Sequence, residues 1–177
     1  MGLPETVDLK TFMLAPLNAT DADDLFAHFS DPDVTEHLDI DPLVDRAGAE
    51  AIIRWAADIE QAERGGRWVV RETSGAFVGT CGFNSITRDR ASRGEIAFDL
   101  AKSHWGRGTI DILLPFLVAT GFETLGLRRL EAFVSPENGR SARVLARHGF
   151  QHEGTLRDYA LWKGRFWDQD VYARIAE

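Results

Sequence analysis

Apolar residues recur along the chain with two spacings, every second residue as in a strand and every third or fourth residue as in a helix. Strand-like runs cover 7–17, 68–70, 77–86, 95–100 and 127–134, and two more strands are expected within 150–175. Helical spacing or helix-end signals cover 21–30, 44–64, 108–124 and 135–148. This order predicts an α/β protein with one mixed, mostly antiparallel twisted sheet of about seven strands and about four flanking helices.

The helix predicted over 135–148 has clear end signals. Ser135 is a good N-cap and Pro136 suits the first helical position. Gly149 suits a left-handed residue just beyond the helix, with Phe150 folding back onto it.

The helix predicted over 108–124 contains an internal proline. Pro115 has no N–H group and cannot donate to the carbonyl of Asp111. This predicts a kink near Asp111 or, alternatively, a helix that begins as late as Leu113.

Composition narrows the class of protein. At 177 residues the chain is interpreted as one domain, 1–177, able to bury roughly 70% of its unfolded surface without disulfides or a metal. Cys81 is the single cysteine and is interpreted as a small buried hydrophobe. A net charge of -8 argues against a nucleic-acid partner and favours cationic ligands. No apolar run approaches the length of a membrane span, so we expect a cytoplasmic protein with no membrane partner.

The segment from Phe98 to Ile110 leads a strand through a short loop into Gly106-Arg107-Gly108 at a helix start. Glycines let the backbone approach a ligand, and the first amides of a helix lack internal partners, which together make an anion site. The alternative is that the two glycines only turn the chain. A dinucleotide-binding loop is excluded because Asp111 replaces its third glycine, and no Gly-Lys-Ser/Thr forms a Walker loop.

The helix over 135–148 also concentrates positive charge. Arg140, Arg143 and Arg147 can form a basic ridge, which is either a solvated helix face or a local anion site within an acidic chain. Asn138 and Ser141 are three residues apart and share one face of the helix.

Together these motifs resemble the GNAT N-acetyltransferases, in particular their RimJ/RimL-type branch. The similar residues are the Trp105-Gly106-Arg107-Gly108 loop, the strand Glu95-Ile96-Ala97-Phe98, and the block Asn138-x-x-Ser141 with Gly149-Phe150. The resemblance covers residues ~7–175. It implies a GNAT-like fold and an enzyme that moves an acetyl group from acetyl-CoA to a primary amine by direct attack in a ternary complex, without a metal.

The resemblance also implies where acetyl-CoA binds. The loop amides would hold the pyrophosphate, the pantetheine arm would pair with the strand before the loop, and the arginine ridge would add positive charge. The implied cofactor-binding residues are Phe98, Asp99, Leu100, Trp105, Gly106, Arg107, Gly108, Thr109, Ile110, Asn138 and Arg143. Ile110 stands where the family usually has a small residue.

Glu95 is the candidate general base. Strand periodicity places Glu95, Ala97 and Asp99 on one face of the sheet, and Glu95 matches a glutamate of RimJ/RimL relatives. It would take a proton from the amine directly or through a water molecule. The alternative is a solvent-facing strand glutamate.

Ser141 is the candidate proton donor to the leaving thiolate, by the same resemblance. The alternative is a hydroxyl bonded to a carbonyl one turn back. Tyr159 and Tyr172 are alternative acids. By resemblance, a backbone N–H within 98–100 would stabilise the oxyanion.

Several histidines and tryptophans remain. His28 and His37 flank a helix end and are expected at the surface, with the lining of an acceptor pocket as the alternative. His148 and His152 are not expected to share a metal, because Gly149 ends the helix between them. Trp162 and Trp167 predict a hairpin whose aromatics lie mostly in the core, or alternatively edge the acceptor cleft. Exposed tryptophans near the C-terminus would be compatible with a homodimer.

Alternatives stay open for the acceptor amine and for the class of protein. The amine could belong to a protein N-terminus, a small amine or a polycation. The alternative from another class is a non-catalytic acyl-CoA-binding module, which Ile110 and Pro115 would favour.

Overall fold

A computed structural model describes residues 3–177, and within them eight strands form one sheet. The strands are β1 Val7–Asp8, β2 Phe12–Pro16, β3 Gly66–Glu72, β4 Phe77–Thr87, β5 Arg93–Leu100, β6 Arg129–Val134, β7 Gln151–Trp162 and β8 Arg165–Ile175. The helices are α1 Ala22–Phe29, α2 Pro32–Thr35, α3 Arg46–Gln61, α4 Thr109–Ala119 and α5 Gly139–Arg147. The predicted mixed α/β architecture is confirmed, with one strand and one short helix more than expected.

The sheet opens between two of its central strands. The strand order is β1-β2-β3-β4-β5-β6-β8-β7, and β5 with β6 is the parallel pair in an otherwise antiparallel arrangement of the described strands. These two strands pair only from Arg93 to Glu95, opposite Arg129 to Glu131. Beyond Glu95, β5 continues to Leu100 beside β4, while β6 continues beside β8. We call the resulting opening along 96–100 the β5–β6 gap.

The stretch expected as one strand over 7–17 is instead two short strands joined by a turn. β1 pairs antiparallel with β2, with Val7 opposite Leu14. Lys10 adopts a left-handed φ of 67°, and its N–H donates to Asp8 Oδ1 at 2.7 Å. The prediction was wrong because a lysine in this conformation carries no glycine signal in the sequence.

Helix α4 begins at Thr109 and continues through Pro115 to Ala119, where a π-helical turn, Thr120–Thr124, follows. The alternative start at Leu113 is therefore wrong, and the glycine loop lies at the first turn of the helix. The kink expected near Asp111 stays a prediction.

The first residue of α5 differs from the prediction. Asn138, and not Ser135, caps the helix: its Oδ1 accepts from the Ser141 N–H at 3.1 Å, and the helix begins at Gly139. Ser135 and Pro136 therefore lie before the helix. Two good caps compete within four residues, and the side-chain bond to Ser141 decides which one is used.

The last turn of α5 is as predicted. Gly149 has a φ of 81°, and its N–H donates to Ala146 O at 3.1 Å. The Phe150 N–H donates to Leu145 O at 3.0 Å, which completes a Schellman motif with Phe150 folded into the core.

Apolar side chains cover both faces of the sheet. One core packs α4 and α5 onto the sheet through residues such as Leu114 and Leu145, and Cys81 lies buried within it as expected. The other core packs α1 and α3 through Leu25 and Ala56. Within residues 3–177, none of the helices combines the length and apolar character needed to cross a bilayer.

Candidate active site

The β5–β6 gap leaves backbone groups of β5 without a strand partner. The Ala101 N–H donates to Val78 O at 2.9 Å on the β4 side, so strand alternation turns the N–H groups of Phe98 and Leu100 toward the gap. The Leu100 carbonyl is already used, because the indole N–H of Trp105 donates to it at 2.8 Å. An extended ligand can therefore pair with Phe98 in the manner of an added strand.

The loop between β5 and α4 carries a row of free amides. Gly106 and Gly108 have φ of 69° and 77°, in the left-handed region. Among the described residues, no amide from 106 to 110 reaches an acceptor with good hydrogen-bond geometry, whereas the Asp111 N–H donates to Gly108 O at 3.0 Å. Free N–H groups at the positive end of a helix suit an anion, and thus the predicted pyrophosphate site.

A cleft of about 520 Å³, here called the large cleft, lies beside this loop and the β5–β6 gap. From the predicted cofactor set it is lined by Phe98, Asp99, Leu100, Trp105, Gly106, Ile110 and Asn138. The lining does not include Arg107, Gly108, Thr109 or Arg143. Thr109 is buried, so its backbone amide and not its side chain is available to an anion.

The predicted basic ridge divides in the structure. The Arg140 guanidinium lies 5.0 Å from the centroid of the Trp105 ring, a cation–π contact, and both residues line the large cleft. Arg147 instead donates to Asp111 Oδ1 at 2.7 Å and ties α5 to the first turn of α4. Arg140 is thus the arginine of α5 that faces the large cleft.

Two residues of the predicted cofactor set place their side chains mostly outside the large cleft. Ile110 is 9% exposed and packs into the core with α4, which removes most of its bulk from the large cleft. The Asp99 carboxylate accepts from His28 of α1 at 2.7 Å and is buried there. A ligand in the gap can therefore meet only the backbone of Asp99.

A second cleft of about 220 Å³, here called the small cleft, adjoins the large one at Phe98, Asn138 and Ser141, which line both. Its charged lining residues are the carboxylates Glu95 and Asp39, and among residues 3–177 no lysine or arginine belongs to its lining. The small cleft is therefore electrostatically suited to a cation.

Ser141 lies where the two clefts meet. Its hydroxyl makes no hydrogen bond to the residues within 3–177, so the expected alternative, a bond to a carbonyl one turn back, is not found. Asn138 uses its Oδ1 to cap α5. The N-terminal turn of α5 thus presents one free hydroxyl and one amide to both clefts.

The two tyrosines that could act as acids are placed differently. Tyr159 lines the small cleft and stacks on Phe133, with ring centroids 5.3 Å apart. Tyr172 lines neither cleft, and burial, followed by the Asp170 carboxylate, raises the pKa of its hydroxyl. Tyr159 is the one that the fold brings near Glu95.

The segment after α2 forms a wall common to both clefts, through His37 and Leu38. Lys163, in the β7–β8 turn, holds this wall: its Nζ donates to Thr35 O at 2.5 Å and to Glu36 O at 3.1 Å. His37 therefore lines both clefts, which corresponds to the alternative prediction and not to the expected surface position.

The β7–β8 turn is confirmed as the hairpin that the two tryptophans predict. The expectation that its aromatics lie mostly in the core is wrong, because Trp162 and Trp167 belong to neither apolar core and Phe166 is 59% exposed. Trp162 and Trp167 stack with centroids 5.6 Å apart, and Trp162 also lines the small cleft. The hairpin thus places aromatic surface beside the second cleft.

Glu95 is half-buried at the point where β5 and β6 separate. Asn84 donates to its Oε1 at 3.2 Å, and the Ser85 hydroxyl donates to its Oε2 at 3.3 Å. Burial raises the pKa of Glu95; these two hydrogen bonds lower it, and the nearby Asp39 and Glu131 carboxylates raise it again. A carboxylate with a raised pKa is a better general base near neutral pH.

A buried polar cluster on this face of the sheet was missed at the level of sequence. Arg67 of β3 donates to Asn84 Oδ1 at 3.0 Å and to Asp99 Oδ2 at 2.9 Å. Asp99 also accepts from the Thr80 hydroxyl at 2.6 Å and from His28. The signal in the sequence that could have indicated this cluster is the set of isolated polar residues in otherwise apolar strands. The expected surface position of His28 was wrong, because its side chain is 1% exposed.

The histidines near α5 contact separate carboxylates. His148 Nε2 lies 2.9 Å from Asp111 Oδ1, and His152 Nε2 lies 3.2 Å from Asp170 Oδ1. Over residues 3–177 there is no group of three or more His, Cys, Asp or Glu side chains arranged to hold a metal ion.

Comparison with known proteins gives findings at three levels. Residues 11–151 match the family model described as an acetyltransferase (GNAT) domain. The chain is 39% identical over 173 residues to the uncharacterized N-acetyltransferase p20 of Bacillus licheniformis, covering 97% of this chain and 96% of that protein. It is 31% identical over 101 residues to the ribosomal-protein-serine acetyltransferase of Escherichia coli K12, covering 57% of this chain and 56% of that protein. The solved structure of RimL, a ribosomal L7/L12 alpha-N-protein acetyltransferase in complex with coenzyme A, superposes with a TM-score of 0.85 at 19% identity, covering 97% of this chain and 98% of that chain.

Proposed function

The chain belongs to the GNAT acetyltransferase family, whose acetyl donor is acetyl-CoA, and we propose that it transfers the acetyl group to a primary amine by direct attack in a ternary complex. One observation carries the proposal: the large and small clefts meet at Phe98, Asn138 and Ser141, beside the open edge of β5. A donor in the large cleft and an amine in the small cleft would therefore meet without a covalent enzyme intermediate.

The residues of the large cleft suit acetyl-CoA, which supplies an activated acetyl group as a thioester. The amides of 106–110 would hold the diphosphate, and the positive charge of Arg140 lies at the same cleft. The backbone of Phe98 would pair with the amides of the pantetheine arm. Asn138 would contact that arm through its side-chain Nδ2, since its Oδ1 caps α5.

Three groups of this chain would perform the chemistry. Glu95 would accept the proton that the amine loses as its nitrogen bonds to the acetyl carbon, directly or through one water molecule. Ser141 would donate a proton to the sulfur as the carbon–sulfur bond breaks. The N–H group of Phe98 or Leu100 that is not paired with the pantetheine arm would stabilise the negative charge that develops on the carbonyl oxygen.

The small cleft favours a cationic acceptor with no carboxylate beside its amine, because Glu95 and Asp39 are its charged groups. An α-amine has an unperturbed pKa near 8 against about 10.4 for lysine, so a single carboxylate suffices to deprotonate it. The name of the Escherichia coli relative, a ribosomal-protein-serine acetyltransferase, supports a protein N-terminus as the acceptor. A small amine or polycation is the other acceptor that this charge favours.

Donor binding is tested first, by isothermal titration calorimetry of the purified protein with coenzyme A and with acetyl-CoA. We expect saturable binding of both. The absence of heat with either ligand would overturn the proposal at its first step.

Transfer is then tested by thiol release from acetyl-CoA with a panel of amines, and the products are identified by mass spectrometry. Glu95→Gln should lower kcat by roughly 10²–10⁴-fold with unchanged acetyl-CoA affinity, whereas the matched exposed carboxylate variant Glu153→Gln should not. Ser141→Ala should lower kcat by a smaller factor. Full activity of Glu95→Gln would remove it as the base.

Acceptor class is tested with alanine, alaninamide and a short peptide that begins with serine. The amide and the peptide should be acetylated well ahead of the free amino acid, because the small cleft has no cation for a carboxylate. Preference for free alanine would contradict this part of the proposal.

A further inference from the structure

A line of partly buried hydrogen bonds joins Glu95 to a positive charge two strands away. We name it the polar relay, and it consists of Asp99, Arg67 and Asn84. Arg67 Nη2 donates to Asp99 Oδ2 at 2.9 Å, and Arg67 Nη1 donates to Asn84 Oδ1 at 3.0 Å. Asn84 Nδ2 in turn donates to Glu95 Oε1 at 3.2 Å. The relay crosses β3, β4 and β5 on the face covered by α1.

The relay has a fixed direction. A guanidinium group only donates hydrogen bonds, so Asn84 must turn its oxygen toward Arg67. Its NH₂ group must then turn toward Glu95, where it meets an acceptor. Arg67 therefore determines that a donor, never an acceptor, faces Glu95 Oε1, and this holds the carboxylate in one orientation.

The relay also keeps the positive charge at a distance from the base. The side chains of Arg67 and Asp99 are 8% and 7% exposed, so Asp99 neutralises the guanidinium within the protein interior. A guanidinium in direct contact with Glu95 would lower the pKa of that carboxyl and weaken it as a base. Asn84, a neutral spacer, transmits the orientation without placing the charge on Glu95.

Other groups face Glu95 from the elements around it. Asp39, in the segment after α2, lines the small cleft together with His37, and its charge acts on Glu95. Glu131 of β6 is opposite Glu95 in the strand register, and Arg129 Nε donates to it at 2.6 Å.

Two more groups come from β5 itself and from β7. The Arg93 guanidinium lies 3.7 Å from the Glu131 carboxylate, and Tyr159 of β7 lines the same cleft as Glu95. None of the hydrogen bonds among residues 3–177 joins these groups to Glu95, whose two bonded donors are Asn84 and Ser85.

We propose that Arg67 and Asn84 are positioning residues of acetyl transfer, which hold Glu95 through the polar relay so that its Oε2 takes the proton from the acceptor amine. This rests on the proposed function, in which Glu95 is the base. The Oε2 oxygen is bonded only by the Ser85 hydroxyl among the described residues, so it is the one that can exchange that bond for the amine or a water molecule.

The decisive measurement is the pH dependence of kcat at saturating acetyl-CoA and amine for Asn84→Leu, a variant of similar volume that removes the donor. The acid limb should move to higher pH, because a hydrogen bond to the ionised carboxylate is lost, and kcat on that limb should fall by roughly tenfold. The kcat on the alkaline plateau should also fall, because Glu95 is no longer held in one orientation. The affinity for coenzyme A should be unchanged. A uniform loss across all pH values indicates a purely structural role and overturns the proposal.

A double-mutant cycle tests whether Arg67 acts through Asn84. Arg67→Lys keeps a charge for Asp99 but cannot donate in two directions from a planar group. We expect it to shift the acid limb in the parent protein and to add no further shift in the Asn84→Leu background. Additive shifts would mean that Arg67 acts by another route, which contradicts the relay. Where Asn84→Leu does not fold, Asn84→Ala is measured instead, and an unshifted acid limb there overturns the proposal.

Failure of this proposal can be separated from failure of the proposed function. If Glu95→Gln abolishes the acid limb while Asn84→Leu leaves it in place, Glu95 is the base but the relay does not position it. If Glu95→Gln leaves the acid limb unchanged, the base assignment fails first, and with it the role of the relay.

Discussion

Neutralising Asp99 should destabilise the protein far more than neutralising a surface carboxylate, because the Asp99 carboxylate is buried and accepts several hydrogen bonds. It accepts from His28 at 2.7 Å, from the Thr80 hydroxyl at 2.6 Å and from Arg67 at 2.9 Å. In Asp99→Asn the buried guanidinium loses its counter-ion, and the loss of one partner of a buried pair typically reduces the free energy of unfolding by about 3–5 kcal/mol.

The matched control is Glu153→Gln, which removes an equal charge from an ion pair with Arg129. The Glu153 side chain is 42% exposed, and an exposed pair of this kind contributes about 0–1 kcal/mol. For a chain of this size, each kcal/mol corresponds to a change in Tm of roughly 2–4 °C. Asp99→Asn should therefore lower Tm by about 6–20 °C, and Glu153→Gln by no more than about 4 °C.

The assay is thermal denaturation followed by circular dichroism, without ligands and across pH. Burial alone would raise the pKa of Asp99, but the hydrogen bonds and charges of His28, Arg67 and Thr80 outweigh it and hold that pKa below its ordinary value. The stabilisation from Asp99 is thus present above the pKa of an unfolded aspartate and is lost as pH falls through the lower, folded value. The Tm values of Asp99→Asn and Glu153→Gln should converge in strong acid. Equal losses at pH 7 would refute the reasoning.

Three further outcomes are expected. Burial first, and then the Asp39 and Glu131 carboxylates, raise the pKa of Glu95, so its ionisation disfavours the folded state as pH rises. Glu95→Gln should therefore have a higher Tm than the parent protein at pH 8 but not at pH 4. Equal Tm values at pH 8 would contradict this. Burial raises the pKa of Cys81 to about 12, so a thiol reagent at pH 8 should label it only after denaturant is added, and rapid native labelling would show an open core. Gly108→Ala, at a φ of 77°, should lower the free energy of unfolding by about 1–2 kcal/mol and also weaken coenzyme A binding. Gly126→Ala, at a φ of 65°, should lower the free energy of unfolding by a similar amount but leave coenzyme A binding unchanged. Denaturation measures the first quantity and calorimetry the second.

Features encoded by neighbouring residues could be predicted from the sequence. The C-terminal end of α5 is one, because Gly149 and Phe150 carry the whole Schellman signal within the last turn. The shared face of Glu95 and Asp99 is another, since strand alternation alone places them there. The mixed sheet was confirmed for the same reason: each element has its own periodicity.

Features that depend on distant residues could not be predicted. His28 and Asp99 are 71 residues apart, and Arg67 and Asn84 are 17 apart, so the burial of these polar groups depends on pairing that local pattern does not encode. The division of the predicted arginine ridge has the same origin, because Arg147 is drawn to Asp111 of another helix. The turn at Lys10 was missed for a different reason, namely an unusual conformation without a glycine.

The separation of β5 from β6 leaves the sheet incomplete at its centre. The backbone amides of Phe98 and Leu100, which have no strand partner among residues 3–177, should exchange rapidly with solvent until an extended ligand covers them. Under the proposed function, the acetyl donor would then also stabilise the fold. A ligand that binds only the folded state raises the free energy of unfolding in proportion to the logarithm of the ligand concentration. The resistance of such an enzyme to proteolysis would follow the supply of its own substrate, with the longest lifetime where acetyl-CoA is abundant.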